Sequence, residues 1–519
     1  MTLRRIPALL LILTLALMLR LIAIDARNLW YDEAFAVLFA EKGLSAMLYG
    51  TLTPVAGGAA DIHPLLYYTT LNIWMNIFGE GAFAVRLWSV ILGIATIYVI
   101  YLLGRDLFGE KTGLAAAFIT AISPFHVQYS QETRMYSLMG LLLIGATWCV
   151  VRGWRSKSWG WWIAFGVLCG LAMYAQQLSA FYLIALGLVP FLAQRRDMIV
   201  RMCIGIGIAL LVYAPWLVNI PSQLDKVGSY YWIAKPELSR FLVTTRTFLA
   251  GWLEFRDAAL LITLALANIL VIFLIVQVFF YLRRPRRDTS ERWALFFVLW
   301  LFAAPVVLMW LISQWRPIYL DRGLIASALM LYLALAWLFT RSGLPRPVAV
   351  LLGTVGIVLA AIGLYTHYTW ATFPNSPFRQ ADEYIRANWE EGDLVVHQDK
   401  ISALPMIYYD RTLIQRYVGD EPGAPDDTLA LPTQETLGLL ADECLQRAAR
   451  GGQRIWYITL TRAEQEAEEQ FRETGASTLQ DELTWLNSNY TLADQQQLND
   501  LNIYLYSNPD TTALSAECE

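Results

Sequence analysis

Eleven long apolar runs dominate this chain, at residues 6–24, 84–103, 113–128, 135–151, 160–175, 178–193, 199–219, 258–281, 293–313, 323–340 and 347–369. A helix of about 20 mostly apolar residues, rising about 1.5 Å per residue, crosses the hydrocarbon of a bilayer. The runs therefore predict an α-helical polytopic membrane protein with about eleven transmembrane helices. Composition agrees, with 57% hydrophobic and 16% charged residues and a mean hydropathy of +0.44, against about 25% charged in soluble domains. These values exclude a disordered chain, an ordinary cytosolic enzyme and a binder with a large basic surface, so no nucleic-acid partner is expected.

Charge divides the chain in two. Residues 371–519 hold 26 acidic and 10 basic side chains, whereas residues 1–370 hold 17 acidic and 29 basic. The turn-rich Pro374-Asn375-Ser376-Pro377 follows the last apolar run. Residues 1–370 read as a membrane domain and 371–519 as an acidic soluble α/β domain. Within the latter, Phe378–Trp389 has helical spacing, as do stretches near 433–450 and 461–474. Asp393–His397, Arg454–Thr459 and Leu501–Tyr506 read as strands. His397 reads as structural and the run Glu464, Glu466, Glu468, Glu469 as a solvated helix face.

Basic residues gather at alternate loops: Arg4/Arg5, Arg105/Lys111, Arg152/Arg155/Lys157, Arg195/Arg196/Arg201, Arg283–Arg292 and Arg341/Arg346. With eleven spans threaded from a cytoplasmic N-terminus, all of these fall on the cytoplasmic side. Loops 25–83, 221–257 and 314–322 and the C-terminal domain are then extracytoplasmic, in a cell (plasma or inner) membrane. A disulfide between Cys444 and Cys518 would be chemically permitted there.

Three of the predicted external turns carry charge where lipid headgroups begin. The first reads Leu29-Trp30-Tyr31-Asp32-Glu33-Ala34, and later Asp61-Ile62-His63-Pro64-Leu65-Leu66-Tyr67-Tyr68. Asp32 and Glu33 are either solvated loop acids, caps of a following helix, or carboxylates with a task. Thr69–Phe78 is apolar but too short to cross, so loop 25–83 is expected to contain interfacial helices. The second turn holds Ser123-Pro124-Phe125-His126 and Glu132-Thr133-Arg134-Met135-Tyr136. The third holds Asp321 and Arg322 at the head of a span. Arg134 and Arg322 read either as snorkelling anchors or as anion ligands. Carboxylates, a histidine, tyrosines and arginines on one membrane face suit sugar transfer from a phosphate-linked lipid. A carboxylate accepts the proton of the attacking hydroxyl, and arginines or a divalent cation balance the leaving phosphate.

The motifs Leu-Trp-Tyr-Asp-Glu-Ala (29–34), His-Pro-Leu-Leu-Tyr-Tyr (63–68), Glu80 to Arg86, Ser123–Tyr136 and the late Arg322 resemble the family 39 glycosyltransferases. That family has the integral-membrane GT-C fold and includes protein O-mannosyltransferases and lipid A aminoarabinose transferases. The resemblance covers most of residues 1–340. It implies a polyprenyl-phosphate sugar donor, inversion at the anomeric carbon, and Asp32 as catalytic base. Tyr31, Glu33, Asp61, His63, Glu132, Arg134, Tyr136 and Arg322 become the substrate-binding candidates, with Arg134 and Arg322 near the lipid phosphate. The acid of Asp61-Ile62-His63 is offset by one residue from the family pattern. Asp61 and His63 stand as ligands of a divalent cation, of the donor phosphate, or of neither. The acceptor is left open among lipid, glycan and protein. Two other readings compete: a polyprenyl-lipid transporter or flippase, expected to bury polar residues mid-span in broken, repeated helices, and a non-enzymatic membrane-anchored sensor or binding protein.

Overall fold

A computed structural model describes residues 6–55, 58–156, 158–229, 233–251, 258–283, 289–420, 427–509 and 517–518. Arg4, Arg5, Lys157, Arg284, Arg286 and Arg287 of the basic loops lie outside the described residues. Each of the eleven apolar runs is built on helix. Among the described residues, seven helices are long and apolar enough to cross a membrane: Ala82–Phe108, Tyr136–Ser156, Arg196–Leu217, Ala259–Arg283, Thr289–Ile312, Asp321–Thr340 and Arg346–Thr369. Pro7–Leu21, Trp159–Ala175 and Ser179–Leu192 are shorter apolar helices.

The third run departs from its expected span at 113–128. The helix Glu110–Ile122 stops at Ser123, and a separate buried helix, Pro124–Ser130, turns inward. The cause is local: Pro124 has no N–H for the preceding turn, and Ser123 Oγ caps the new helix by accepting from the His126 amide at 3.2 Å. Thirteen residues rise only about 20 Å, so the buried helix completes the layer. Gly109, at φ 98°, permits the tight reversal from Ala82–Phe108 into Glu110–Ile122. Close packing of these two helices needs Gly113, where a Cβ would lie 2.6 Å from the Tyr101 carbonyl oxygen.

The helix Ile325–Thr340 runs through the centre, buried on all faces from Ile325 to Leu338, and its head follows the turn that carries Arg322. The segment after the first apolar helix folds as helices Tyr31–Ala40, Gly43–Leu52 and Leu66–Phe78, with a small antiparallel pair of β1 (Pro54–Val55) and β2 (Gly58–Ala59). Leu66–Phe78 leaves Ile73, Ile77 and Phe78 exposed while Tyr67, Tyr68, Leu71 and Met75 are buried, as a helix lying in an interface would. Helices Ile220–Ser229 and Arg240–Ala250 lie between Arg196–Leu217 and Ala258–Arg283.

Beyond Trp370 the chain builds a five-stranded sheet from β3 (Asp393–His397), β4 (Gln415–Tyr417), β5 (Arg454–Leu460), β6 (Thr491–Leu498) and β7 (Leu501–Ser507), in the order β4-β3-β5-β7-β6. Strand β3 is parallel to both neighbours, and β7 is antiparallel to β5 and β6. Alternation divides the core: Leu394, Val396, Ile455 and Tyr457 face one side, Val395, Trp456 and Ile458 the other. Cys444 and Cys518 are disulfide-bonded. This domain rests on helices Tyr31–Ala40 and Gly43–Leu52. Helix Lys400–Tyr409 packs on Tyr31–Ala40, and helix Leu431–Leu437 packs on Gly43–Leu52, where Thr433 Oγ1 donates to the Gly50 carbonyl at 2.8 Å.

Candidate active site

Asp32 and Glu33 both lie in the first turn of Tyr31–Ala40, whose preceding residue, Trp30, provides no side-chain cap. Neither acid is a cap. Consecutive helical residues project about 100° apart, so the two carboxylates enter different surroundings, each near the positive end of the helix dipole.

Glu33 is sealed. Arg86 clamps it with two guanidinium nitrogens, Nε at 2.8 Å and Nη2 at 2.5 Å, and the Thr133 amide donates to it at 2.9 Å. Arg86 also donates to the carbonyls of Ile24, Arg27 and Asn28. One fork thus binds the first external segment to the Glu132–Arg134 turn. Its donors are spent on protein, so Glu33 acts on Asp32 by positioning rather than by offering a free carboxylate.

Asp32 is open. Arg322 Nη1 donates to its Oδ2 at 3.2 Å, and Arg134 Nε lies 3.8 Å from the same oxygen. Burial alone would raise this carboxyl; Arg134, Arg322 and His63 outweigh burial and hold it below the usual aspartate value. Arg134 reaches further, donating to Tyr68 Oη at 3.1 Å, with its Nη2 3.5 Å from His63 Nε2. His63 Nδ1 lies 2.8 Å from Asp61 Oδ1, which orients the ring with Nε2 toward Arg134. Asp61 is likewise held below its ordinary value: His63 and the Ile62 amide overcome its burial.

Arg322 is aimed by its neighbour. Asp321 accepts from Arg240 Nη2 at 2.6 Å and from Thr244 Oγ1 at 2.7 Å, which pins the turn and leaves Arg322 facing Asp32. The Arg322 guanidinium lies over the Tyr136 ring, 5.4 Å from its centroid. Glu132 lies beside this group, its Oε1 buried without a partner among the described residues. Burial, with the charges of Glu33 and Asp32, pushes its carboxyl up to about 8 against the pull of Arg322.

All nine sequence-derived candidates therefore lie in one neighbourhood, although Glu33 meets Arg86 instead of the open space. As a cation site the Asp61–His63 pair fits poorly. Its two groups are bonded to each other, a guanidinium stands at the free ring nitrogen, and no cluster of three or more His, Cys, Asp or Glu side chains suited to a metal occurs among the described residues. The arrangement suits an anion better.

Some participants were not named as site residues from sequence. Arg86 and Tyr68 entered only as members of the motifs Glu80 to Arg86 and 63–68, with no role attached. Arg240 and Thr244 carry no signal beyond residue type. The α/β domain also contributes: Lys400 pairs with Asp420, and Asp420 acts with burial and Asp32 to raise the Tyr31 phenol. Lys226, lowered by burial, feels Asp61 and Asp427. Pairings of this kind, across hundreds of residues, have no local pattern.

Residues 62–218 match the family model described as dolichyl-phosphate-mannose-protein mannosyltransferase. The chain is 26% identical over 180 residues to the undecaprenyl phosphate-alpha-4-amino-4-deoxy-L-arabinose arabinosyl transferase of Pseudomonas aeruginosa (strain UCBPP-PA14), covering 33% of this chain and 32% of that protein. It is 23% identical over 223 residues to YkcB of Bacillus subtilis (strain 168), which carries a mannosyltransferase name, covering 41% and 31%. The matches thus span under a third of these relatives' own lengths. In three dimensions the chain superposes on ArnT from Cupriavidus metallidurans bound to undecaprenyl phosphate, with a TM-score of 0.62 at 12% identity, covering 96% of this chain and 97% of that one. The Archaeoglobus fulgidus oligosaccharyltransferase gives 0.55 at 13% identity, covering 90% and 70%. At these identities the likeness is one of fold.

Proposed function

We propose that this chain, which has the GT-C fold of integral-membrane glycosyltransferases, moves a sugar from a polyprenyl-phosphate carrier to an acceptor on the extracytoplasmic side, with inversion. The observation that carries this reading is the Asp32 carboxylate held between Arg134 and Arg322. The acceptor hydroxyl attacks the anomeric carbon from the face opposite the phosphate. As the new C–O bond forms, the bond to the phosphate oxygen breaks and its electron pair leaves with the lipid phosphate. Asp32 takes the hydroxyl proton. Arg134 and Arg322 stabilise charge as it develops on the departing phosphate.

The two arginines link these roles. Without donor they are the counter-charges of Asp32. A donor phosphate competes for their N–H groups, so the aspartate loses partners and gains basicity as the complex forms. Glu132, neutral below about 8, can donate a hydrogen bond where an ionised acid would repel the phosphate. His63 and Tyr68 orient Arg134, and Tyr31 and Tyr136 border the sugar. No step is assigned to a divalent cation, since the donor set does not suit one.

The basic loops support a cytoplasmic N-terminus and an external active face in a plasma or inner membrane. The Cys444–Cys518 disulfide supports the same side for the α/β domain, since such bonds persist in oxidising compartments. The acceptor is a lipid, glycan or protein hydroxyl. The test is to incubate the purified protein with radiolabelled polyprenyl-phosphate sugars and candidate acceptors. Release of free polyprenyl phosphate together with labelled acceptor is expected. Movement of intact donor between leaflets without its cleavage would replace this reading by a flippase.

A further inference from the structure

A cleft on the α/β domain is lined by none of the nine candidates around Asp32. It encloses 340 Å³ between helix Phe378–Ala387, which supplies Arg379, Asp382, Glu383 and Arg386, and the end of helix Lys400–Tyr409, which supplies Tyr409 and Asp410. The spacing of the first four places them on one helix face. Such a volume lies within the range of small-molecule sites.

Asp382 is the anomaly. It is 4% exposed, lines the cleft, and neither of its carboxyl oxygens has a hydrogen-bond partner among the described residues. A buried polar group left unpaired bears the cost of its lost hydration with nothing to offset it. Its neighbours are already engaged. Arg386 pairs with Asp410, and Arg379 lies 4.9 Å above the Tyr409 ring and 3.5 Å from the Asp25 carboxylate. Burial and the nearby Asp410 push Asp382 up to about 9, so it is protonated at neutral pH. Arg379 and Arg386 then balance Glu383 and Asp410. With Asp382 neutral and the other two acids balanced by the two arginines, no net positive charge draws an anion into this space. Two guanidiniums oppose a metal cation, and no metal-binding cluster occurs among the described residues.

A ligand that both donates and accepts and is uncharged satisfies these conditions. Sugar hydroxyls donate to carboxylates and accept from guanidinium and acid O–H groups. We propose that this cleft is a second saccharide site, on which Asp382 bonds a ring hydroxyl. This goes beyond the transfer reaction and does not depend on it. The cleft also joins the catalytic face, since the Leu29 amide donates to Tyr409 Oη at 2.7 Å.

The test is saturation-transfer NMR on the full-length protein in a sugar-free detergent, with D-mannose, D-glucose and D-galactose as probes. At least one sugar is expected to show transfer to its ring protons in the wild type and in Asp32→Asn. Asp382→Leu and the exposed-site variant Glu383→Ala should each reduce that signal several-fold, with circular dichroism confirming folded protein. The proposal is overturned if the wild type gives no transfer, or if both variants fold and bind as the wild type does. It is also overturned if Asp32→Asn alone removes the signal, which would place the sugar in the catalytic cavity. Phosphate or Mn²⁺ binding that is lost in Asp382→Leu, in place of sugar binding, would make the cleft an ion site and end the proposal.

Discussion

Two carboxylates that are neighbours in sequence meet arginine in opposite ways. Glu33 and Arg86 are 2% and 1% exposed, bonded through the Nε–Nη2 edge of the guanidinium, with every remaining Arg86 donor on a backbone carbonyl. Asp32 and Arg322 are 15% and 19% exposed and share one hydrogen bond at 3.2 Å, with Arg134 at longer range. The first cluster is closed to any third group. In the second, the guanidiniums keep directions in which a phosphate can approach. A buried ion pair is a weak source of net stability, yet removing one partner is costly because the other stays behind, charged and dry. An open pair is cheap to exchange. The same residue types therefore yield a clamp at one position and an open, exchangeable pair at the next.

The largest effect that sharpens this contrast is on rate. Asp32→Asn keeps shape and removes basicity, and loss of a general base lowers turnover by about 10²- to 10⁴-fold. Transfer to a labelled acceptor measures it, and near-normal turnover in folded protein would remove Asp32 from that role. Glu33→Ala should instead act on folding, costing about 3–5 kcal/mol by stranding Arg86, seen as earlier thermal unfolding in detergent. Unchanged unfolding with transfer abolished would mean that Glu33 touches substrate and that the clamp reading fails.

Arg322→Ala comes next. Loss of a charged hydrogen bond to phosphate is worth about 1.5–3 kcal/mol, which is roughly ten- to a hundredfold in donor KM; an unchanged KM would separate Arg322 from the donor. Smaller still is a pH effect. Glu132 is held up to about 8 by burial, so it is protonated below that value and ionises as pH rises through it. Transfer should decline on that alkaline side, and Glu132→Gln, which cannot ionise, should flatten the decline. A wild-type profile without that limb would show that Glu132 does not act as a neutral donor. The smallest effect belongs to His63→Gln, which retains a polar group beside Arg134 and should alter donor KM by a fewfold at most. A loss of turnover matching that of Asp32→Asn would give His63 direct contact with the reacting atoms.

Much of the fold was legible because lipid leaves few choices. Apolar runs near 20 residues became helices, and the strands read at Asp393–His397, Arg454–Thr459 and Leu501–Tyr506 became β3, β5 and β7. The third run was harder to bound. Its apolar character continues through Pro124 and Phe125, and only the Ser123 cap and the missing proline N–H divide it. Strand β6 escaped notice because Asp494-Gln495-Gln496-Gln497 is polar on both faces, as an exposed edge strand can be. In the site, residue types gave Asp32, Arg134 and Arg322 as candidates. They could not separate Asp32 from Glu33, because the two share flanks and differ only in what lies opposite.

Hydropathy and charge along the chain determined that residues 1–370 would enter a bilayer as helices and that an acidic domain would follow. Those properties are sums over neighbouring residues, which a sequence states directly. Tertiary structure decided which acid is sealed, which arginine is spent, and how β3 and its neighbours sit over helices Tyr31–Ala40 and Gly43–Leu52. These outcomes depend on distances between segments up to some 383 residues apart, and on how much water each pair keeps. Packing sets both.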